Sequence, residues 1–220
     1  MKKLNSISHL HKLLHNRIID ISFSENLSHL SSCITTLPIL VPIYKKKQSR
    51  DLVILSNGHA GLAQYVCLEF FENKNAIELL HKHGIHPSKD IQNNIFCSTG
   101  SLGLGLPLAL GAALADQTRH VYCVISDGEC CEGSIWESLY FMSKHNVPNI
   151  TVFVNANGIS AYSYVSVKKL KKIINSFELK SSVKCINTEK YIQAFPELFD
   201  KGIESHYCRV TNKQTLTYEI

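Results

Sequence analysis

"VISDGECCEGSIWESL", residues 124–139, passes from an apolar run straight into Asp127-Gly128 and then into a helix-forming stretch. The run that feeds it, "HVYCVIS" (120–126), reads as a central buried strand. The turn at Asp127-Gly128 admits two readings. One is a plain strand-to-helix connection, since Asp-Gly is a common turn dipeptide. The other is that Asp127 holds a metal, and the metal a phosphate.

The next strand decides between them. "NITVFVNA" (149–156) is again apolar and is followed by Asn157-Gly158. Either dipeptide alone is turn chemistry. Together, 30 residues apart and on strands expected to be neighbours, they put a carboxylate and an amide on the same sheet edge. These are hard ligands, suited to a magnesium ion that also takes phosphate oxygens and water. The helix that follows Asp127-Gly128 offers free N–H groups to a phosphate. Gly128 lets the backbone come close to it.

Around this pair, strand and helix patterns alternate. The spacing predicts a helix from Ile7 to Ile21, and a second over 32–47 that Pro38 and Pro42 bend or divide. A buried strand over 51–56 ends in Ser-Asn-Gly. Helices are expected over 59–72 and 75–84, the latter stopping at Gly84, and then a long loop over 84–101. The Ala-rich stretch 102–116 and residues 133–146 read as helices. A basic helix follows, then a short strand at 182–186, a helix over 189–200 and a final strand over 205–210. The last ten residues are polar and read as a loose tail. The whole chain, 1–220, reads as one α/β domain, a doubly wound and mainly parallel sheet with helices on both faces. Ligands of such sheets lie beyond the carboxyl ends of the strands, where Ser56-Asn57-Gly58-His59, Asp127-Gly128 and Asn157-Gly158 all fall.

The bulk numbers exclude several classes. The chain is 45% hydrophobic and 19% charged, an ordinary globular balance. No window is a membrane span, and no signal pattern stands at the start, so a cytoplasmic protein is expected. The net charge of +5 is partly "KKK" (45–47) and "KKLKK" (168–172). Without interleaved aromatics these read as solvated faces and not as a nucleic-acid surface. The eight cysteines contain no C-x-x-C pair, so zinc is not expected and the thiols read as reduced. "GLGLPL" (103–108) is no dinucleotide loop, because Leu108 stands where a third glycine is needed.

Four segments, in order, carry a resemblance. They are "SHLSSCITTLPIL" (28–40), "VILSNGHAGLAQYVCLEFF" (53–71), "STGSLGLGLPLALGAALA" (98–115) and "SDGECCEGSIWESL" with "VFVNANGIS" after it. Together they resemble the thiamine-diphosphate signature of the transketolase family, over roughly residues 25–162. The resemblance implies the family's thiamine-diphosphate-binding fold, with thiamine diphosphate and Mg2+ as cofactors. It implies Asp127, Asn157 and the carbonyl of Ile159 as magnesium ligands, and the Gly128 amide as a diphosphate contact. Gly100 and Leu102 match the backbone facing the aminopyrimidine. His29, His59 and His86 match histidines that line the thiazolium and substrate, where neutral imidazoles bind hydroxyls and shuttle protons. His81 and His83 compete with His86 by position, and His145 and His206 read as structural or exposed. Glu132 matches a buried acid that joins two active sites across a dimer. The family's tail to this domain carries a further histidine with no clear counterpart here. Ser126 replaces the first glycine of Gly-Asp-Gly, and Asn155 stands where an acid is common.

The chain matches only the diphosphate-binding part of a transketolase. The expected function is therefore the amino-terminal subunit of a split enzyme, moving a two-carbon ketol unit between sugars or sugar phosphates. The expected partner is a separate chain with the pyrimidine-binding domain, in a heterotetramer of two copies each. Rival readings are a deoxyxylulose-phosphate-synthase-like chain, a 2-oxo-acid dehydrogenase or decarboxylase subunit, and a degenerate non-catalytic module. "EGSIWESL" and "SNGH" favour transketolase over the dehydrogenases.

Overall fold

The structure is a computed structural model that describes residues 8–160, 163–179, 182–209 and 211–219. Its elements run α1 (His9–Ser24), α2 (Leu30–Lys46), β1 (Leu52–Leu55), α3 (Gly61–Glu72), α4 (Ala76–His83), α5 (Gly105–Ala115), β2 (Val121–Ser126), α6 (Gly133–Lys144), β3 (Ile150–Ala156), α7 (Val167–Asn175), β4 (Val183–Asn187) and α8 (Glu189–Ala194). The strands form one sheet in the order β1-β2-β3-β4, and every neighbouring pair is parallel. Among the described residues no helix is long and apolar enough to cross a membrane.

The period of two along each strand decides which helices cover which face. Val53, Leu55 and Val124 point into a core built with α1, α2, α3, α4 and α8. Ile54, Cys123, Ile125, Val152 and Val154 point the other way, into a core with α5, α6 and α7. Both faces are thus covered, which is why the strands read as continuous apolar runs. The α/β sheet with helices on both faces is the architecture expected from the alternating pattern.

Helix α2 is the spine of the first core. Ile34, Leu37 and Leu40 are fully buried, each contributing about 1.5–3 kcal/mol by leaving water. It runs undivided through Pro38 and Pro42. Its packing on α1 and α3 outweighs the backbone hydrogen bonds that the two prolines remove.

Several expectations change. Ile7, the expected start of the first helix, lies outside the described residues. Helix α5 begins at Gly105 rather than 102, because Gly103 has a positive φ of 82° and belongs to the preceding loop. The helix expected over 189–200 stops at Ala194, where Pro196 cannot continue it and a 3-10 turn takes over. The final strand expected over 205–210 does not form. Residues Gly202–Tyr207 make a 3-10 turn instead, and the His29 amide donates to the His206 carbonyl at 2.8 Å. Val210 lies outside the described residues. The tail is not loose either. Leu216 and Tyr218 are buried against α1, the His15 Nε2 lies 2.8 Å from the Leu216 carbonyl, and Asn16 exchanges two hydrogen bonds with Tyr218.

Candidate active site

Three turns leave the carboxyl ends of β1, β2 and β3 on one sheet edge. They carry His59, Asp127 and Asn157. All three side chains line a single cleft of about 250 Å³. His29, His86, Gly100, Leu102, Gly128 and Ile159 line the same cleft. Of the residues that the resemblance assigned to the site, Glu132 stands outside it.

Asparagines at the strand ends are held by a polar stripe on α2. Thr36 Oγ1 accepts from the Nδ2 groups of Asn57 and Asn155, both at 3.0 Å. Thr35 Oγ1 accepts from Asn155 at 3.1 Å and Asn157 at 3.3 Å. Asn155 Oδ1 in turn accepts from Thr188. A buried amide with its donors and acceptor engaged is a rigid one. Asn155 therefore acts as the brace between β3 and α2.

Asp127 is 1% exposed. Its Oδ1 accepts from the Gly128 amide at 3.0 Å and its Oδ2 from the Gly158 amide at 2.7 Å. Burial pushes its carboxyl up to about 6, against the pull of these amides. No Lys or Arg pairs with it among the described residues. A carboxylate buried without a counter-charge is a site for a cation. Asn157 Oδ1 faces the same loop and accepts from the Ile159 amide at 2.9 Å, leaving a second lone pair. Among the described residues there is no cluster of three or more His, Cys, Asp or Glu to cage a metal. One carboxylate, one amide and one backbone carbonyl, completed by phosphate and water oxygens, is instead the donor set that suits Mg2+. The chain's residues thus fit a magnesium-bound diphosphate.

The other side of the cleft is imidazole. The His29 and His59 rings lie 5.7 Å apart, and each is within 6.3 Å of the His206 ring. Burial pushes His29 down to about 4 and His59 down to about 3, and the neighbouring imidazoles add to both. Burial also lowers His206, opposed by the nearby backbone of Ile159 and Ser160. Near neutral pH all three are uncharged, so each ring has one donor and one acceptor. His29 adopts a left-handed φ of 63° at the head of α2, an uncommon conformation for a non-glycine residue. Its Nδ1 is 2.9 Å from the Ser28 hydroxyl, which turns the ring. His86 sits at the rim against Gly100, whose φ is 133°, and a Cβ there would lie 2.8 Å from the His86 ring. His81 and His83 are engaged elsewhere, with Glu25 and Asp90.

Two residues that the sequence did not single out stand at or beside the site. His206, expected to be structural or exposed, lines the cleft with its Nε2 buried and without a hydrogen-bond partner, and its Nδ1 3.4 Å from the Ser32 hydroxyl. It stands in the tail where a further histidine had no counterpart. Glu129, two residues after Asp127, is buried as well, at 0% exposure. Glu132 is half-buried at the head of α6.

Comparison with known proteins agrees with this geometry. Residues 76–213 match the family described as "Thiamine pyrophosphate enzyme, C-terminal TPP binding domain". The 6-deoxy-6-sulfo-D-fructose transketolase subunit SqwG of Clostridium sp. (strain MSTE9) is 34% identical over 125 residues, 52% of this chain and 46% of that one. An apulose-4-phosphate transketolase subunit of Phocaeicola vulgatus is 27% identical over 161 residues, 64% of this chain and 57% of that one. The chain is thus matched over about half the length of each of these relatives. In fold, the transketolase from Leishmania mexicana superposes with a TM-score of 0.66 over 86% of this chain and 34% of its own, at 18% identity. With that match over residues 76–213, and with the buried carboxylate, amide and imidazoles gathered at one sheet edge, the chain belongs to the thiamine pyrophosphate enzymes and is similar to the transketolases among them.

Proposed function

We propose that this chain is the diphosphate-binding subunit of a two-chain, transketolase-like enzyme of the cytoplasm. It transfers a two-carbon ketol unit between sugars or sugar phosphates. A separate chain bearing the pyrimidine-binding domain completes the site, in an assembly of two copies of each. The observation that carries the reading is the shared cleft: Asp127 and Asn157 at one end, His29, His59 and His206 at the other. That two relatives bear the names of transketolase subunits supports the division into two chains.

Asp127, Asn157 and the Ile159 carbonyl would hold Mg2+, and the Gly128 amide the diphosphate. Gly100 and Leu102 would present backbone to the pyrimidine ring. When bound, the cofactor supplies the electron sink for breaking and remaking the bond beside a ketose carbonyl. The neutral imidazoles of His29, His59 and His206 bind sugar hydroxyls and move their protons, since each ring both donates and accepts. His86 closes the rim against Gly100. Glu132, partly exposed at the head of α6, would meet a second copy across a symmetric interface.

The test is to purify the chain alone and assay ketol transfer with thiamine diphosphate and Mg2+, then add the candidate partner. No activity alone and activity with the partner is expected. Full activity from the lone chain overturns the two-chain reading. Inactivity with every partner, together with only weak cofactor binding, indicates a non-catalytic module.

A further inference from the structure

Glu129 has no assigned part in this chemistry, yet it is the most enclosed acid of the site. It is 0% exposed, and no cation pairs with it among the described residues. It is held only by donors, and they come from three different segments. The Ser126 amide at the end of β2 donates to Oε2 at 2.9 Å. The Gly103 amide, in the loop before α5, donates to Oε1 at 3.0 Å. The Ser56 hydroxyl at the end of β1 donates to the same Oε1 at 2.5 Å. Ser56 relays the hold, because its oxygen accepts the Gly105 amide at 3.1 Å. From the other side, the Gly103 carbonyl accepts the Ser134 hydroxyl of α6 at 2.8 Å.

The loop so gripped carries Gly100 and Leu102 into the cleft. Gly103 itself has a φ of 82°, and a Cβ there would lie 2.7 Å from the Cβ of Glu132. The loop therefore has no side chain of its own at the gripped point. Its height above the sheet is set by the carboxylate below and the serine beside it. Both carboxylate oxygens are needed as acceptors. A glutamine of the same shape would offer one acceptor and turn an N–H pair toward a buried N–H donor.

We propose that Glu129 is a positioning residue. Its carboxylate fixes the Gly100–Gly103 loop against the pyrimidine end of the cofactor, independently of the Asp127–Asn157 end that holds metal and diphosphate. This rests on the functional reading above and adds a division of labour to it.

The test has two arms. In the first, hydrogen exchange is followed on the full chain without cofactor. Glu129→Gln should speed exchange of the Gly103 and Gly105 amides about tenfold or more, the scale of one lost hydrogen bond, while Val152 and Val154 keep their protection. Ser56→Ala, which retains the carboxylate, should free Gly105 and leave Gly103 slow. It also serves if the glutamine variant does not fold. Unchanged exchange at Gly105 in Ser56→Ala, or at both amides in Glu129→Gln, overturns the proposal. In the second arm, the assembled enzyme is titrated with thiamine diphosphate and with inorganic pyrophosphate, each with Mg2+. Glu129→Gln should weaken the first about tenfold and the second less than about twofold, because pyrophosphate has no ring to place. An equal loss for both ligands assigns Glu129 to the metal end and overturns the proposal. A wild-type assembly that binds no thiamine diphosphate sinks the functional reading instead, and the exchange arm still judges the grip on the loop.

Discussion

The Oδ2 atom of Asp127 accepts a 2.7 Å hydrogen bond from the amide of Gly158, so the loops that follow β2 and β3 are tied tip to tip. The carboxylate is thereby aimed by the same loop that brings Asn157 and Ile159. The proposed Mg2+ ligands Asp127 and Asn157 are thereby held by the chain's own hydrogen bonds, which would reduce the ordering that binding must supply.

Replacing that carboxylate should therefore cost the metal more than the fold. Asp127→Asn keeps an acceptor for one loop amide but loses the charge. Calorimetry on the assembled enzyme should show Mg2+-dependent affinity for thiamine diphosphate reduced about a hundredfold or more, at least the loss seen for residues that merely support a ligand. Unchanged affinity would remove Asp127 from the metal site.

His59→Ala should act on rate instead. On the proposed reading the imidazole meets the substrate and not the diphosphate, so turnover should fall by at least about tenfold while cofactor affinity changes little. Steady-state rates within about twofold of wild type would make His59 structural.

His206 offers a sharper comparison. Its ring lines the cleft beside the backbone of Ile159 and Ser160. His206→Gln keeps a donor and an acceptor near that point, whereas His206→Leu keeps neither. The expected order of kcat/KM is wild type, then Gln, then Leu, with cofactor affinity equal in all three. Equal kinetics for Gln and Leu would place the ring outside the substrate's reach.

Acid should loosen the chain in a defined window. Burial, with Lys190 adding to it, pushes His11 down to about 4 from an ordinary value of 6.5. Between those values the unfolded chain binds a proton that the folded chain refuses. Stability is thus complete above about 6.5 and declines as the pH falls towards about 4. His29 and His59 act in the same sense. Urea midpoints at pH 7.5 and pH 5 should differ, and His11→Leu should shrink that difference without abolishing it. Midpoints insensitive to pH would contradict the burial of these rings in the neutral form.

What the sequence disclosed and what it hid follow one physical line. Asp127 and Asn157 stand directly after apolar strands and His59 in the turn that follows one, and a parallel sheet brings such positions together without further information. Local pattern was enough. His206 has no strand before it. It reaches the cleft because the segment after α8 folds back over α2, and that return is a tertiary event. "SHYCRV" looks like a strand by composition, but the backbone of His206 finds the head of α2 in place of a sheet edge. Likewise Glu129 and Glu132 are three residues apart and chemically identical. Only the loop that descends on one of them decides which is enclosed.

The clasp of the tail on α1 and α2 also sets an order of assembly. His15 and Leu216 are 201 residues apart in sequence, Asn16 and Tyr218 are 202, and Ser32 and His206 are 174. Contacts of such separation form late, since a long stretch of chain must be closed before they reward it. The pair Asp127 and Asn157 is spanned by one strand-helix-strand unit and forms early by the same reasoning. The cleft is therefore built from an early half and a late half. Under mild denaturing stress the late half should open first, so that the site gives up its third imidazole while its carboxylate and amide still face one another.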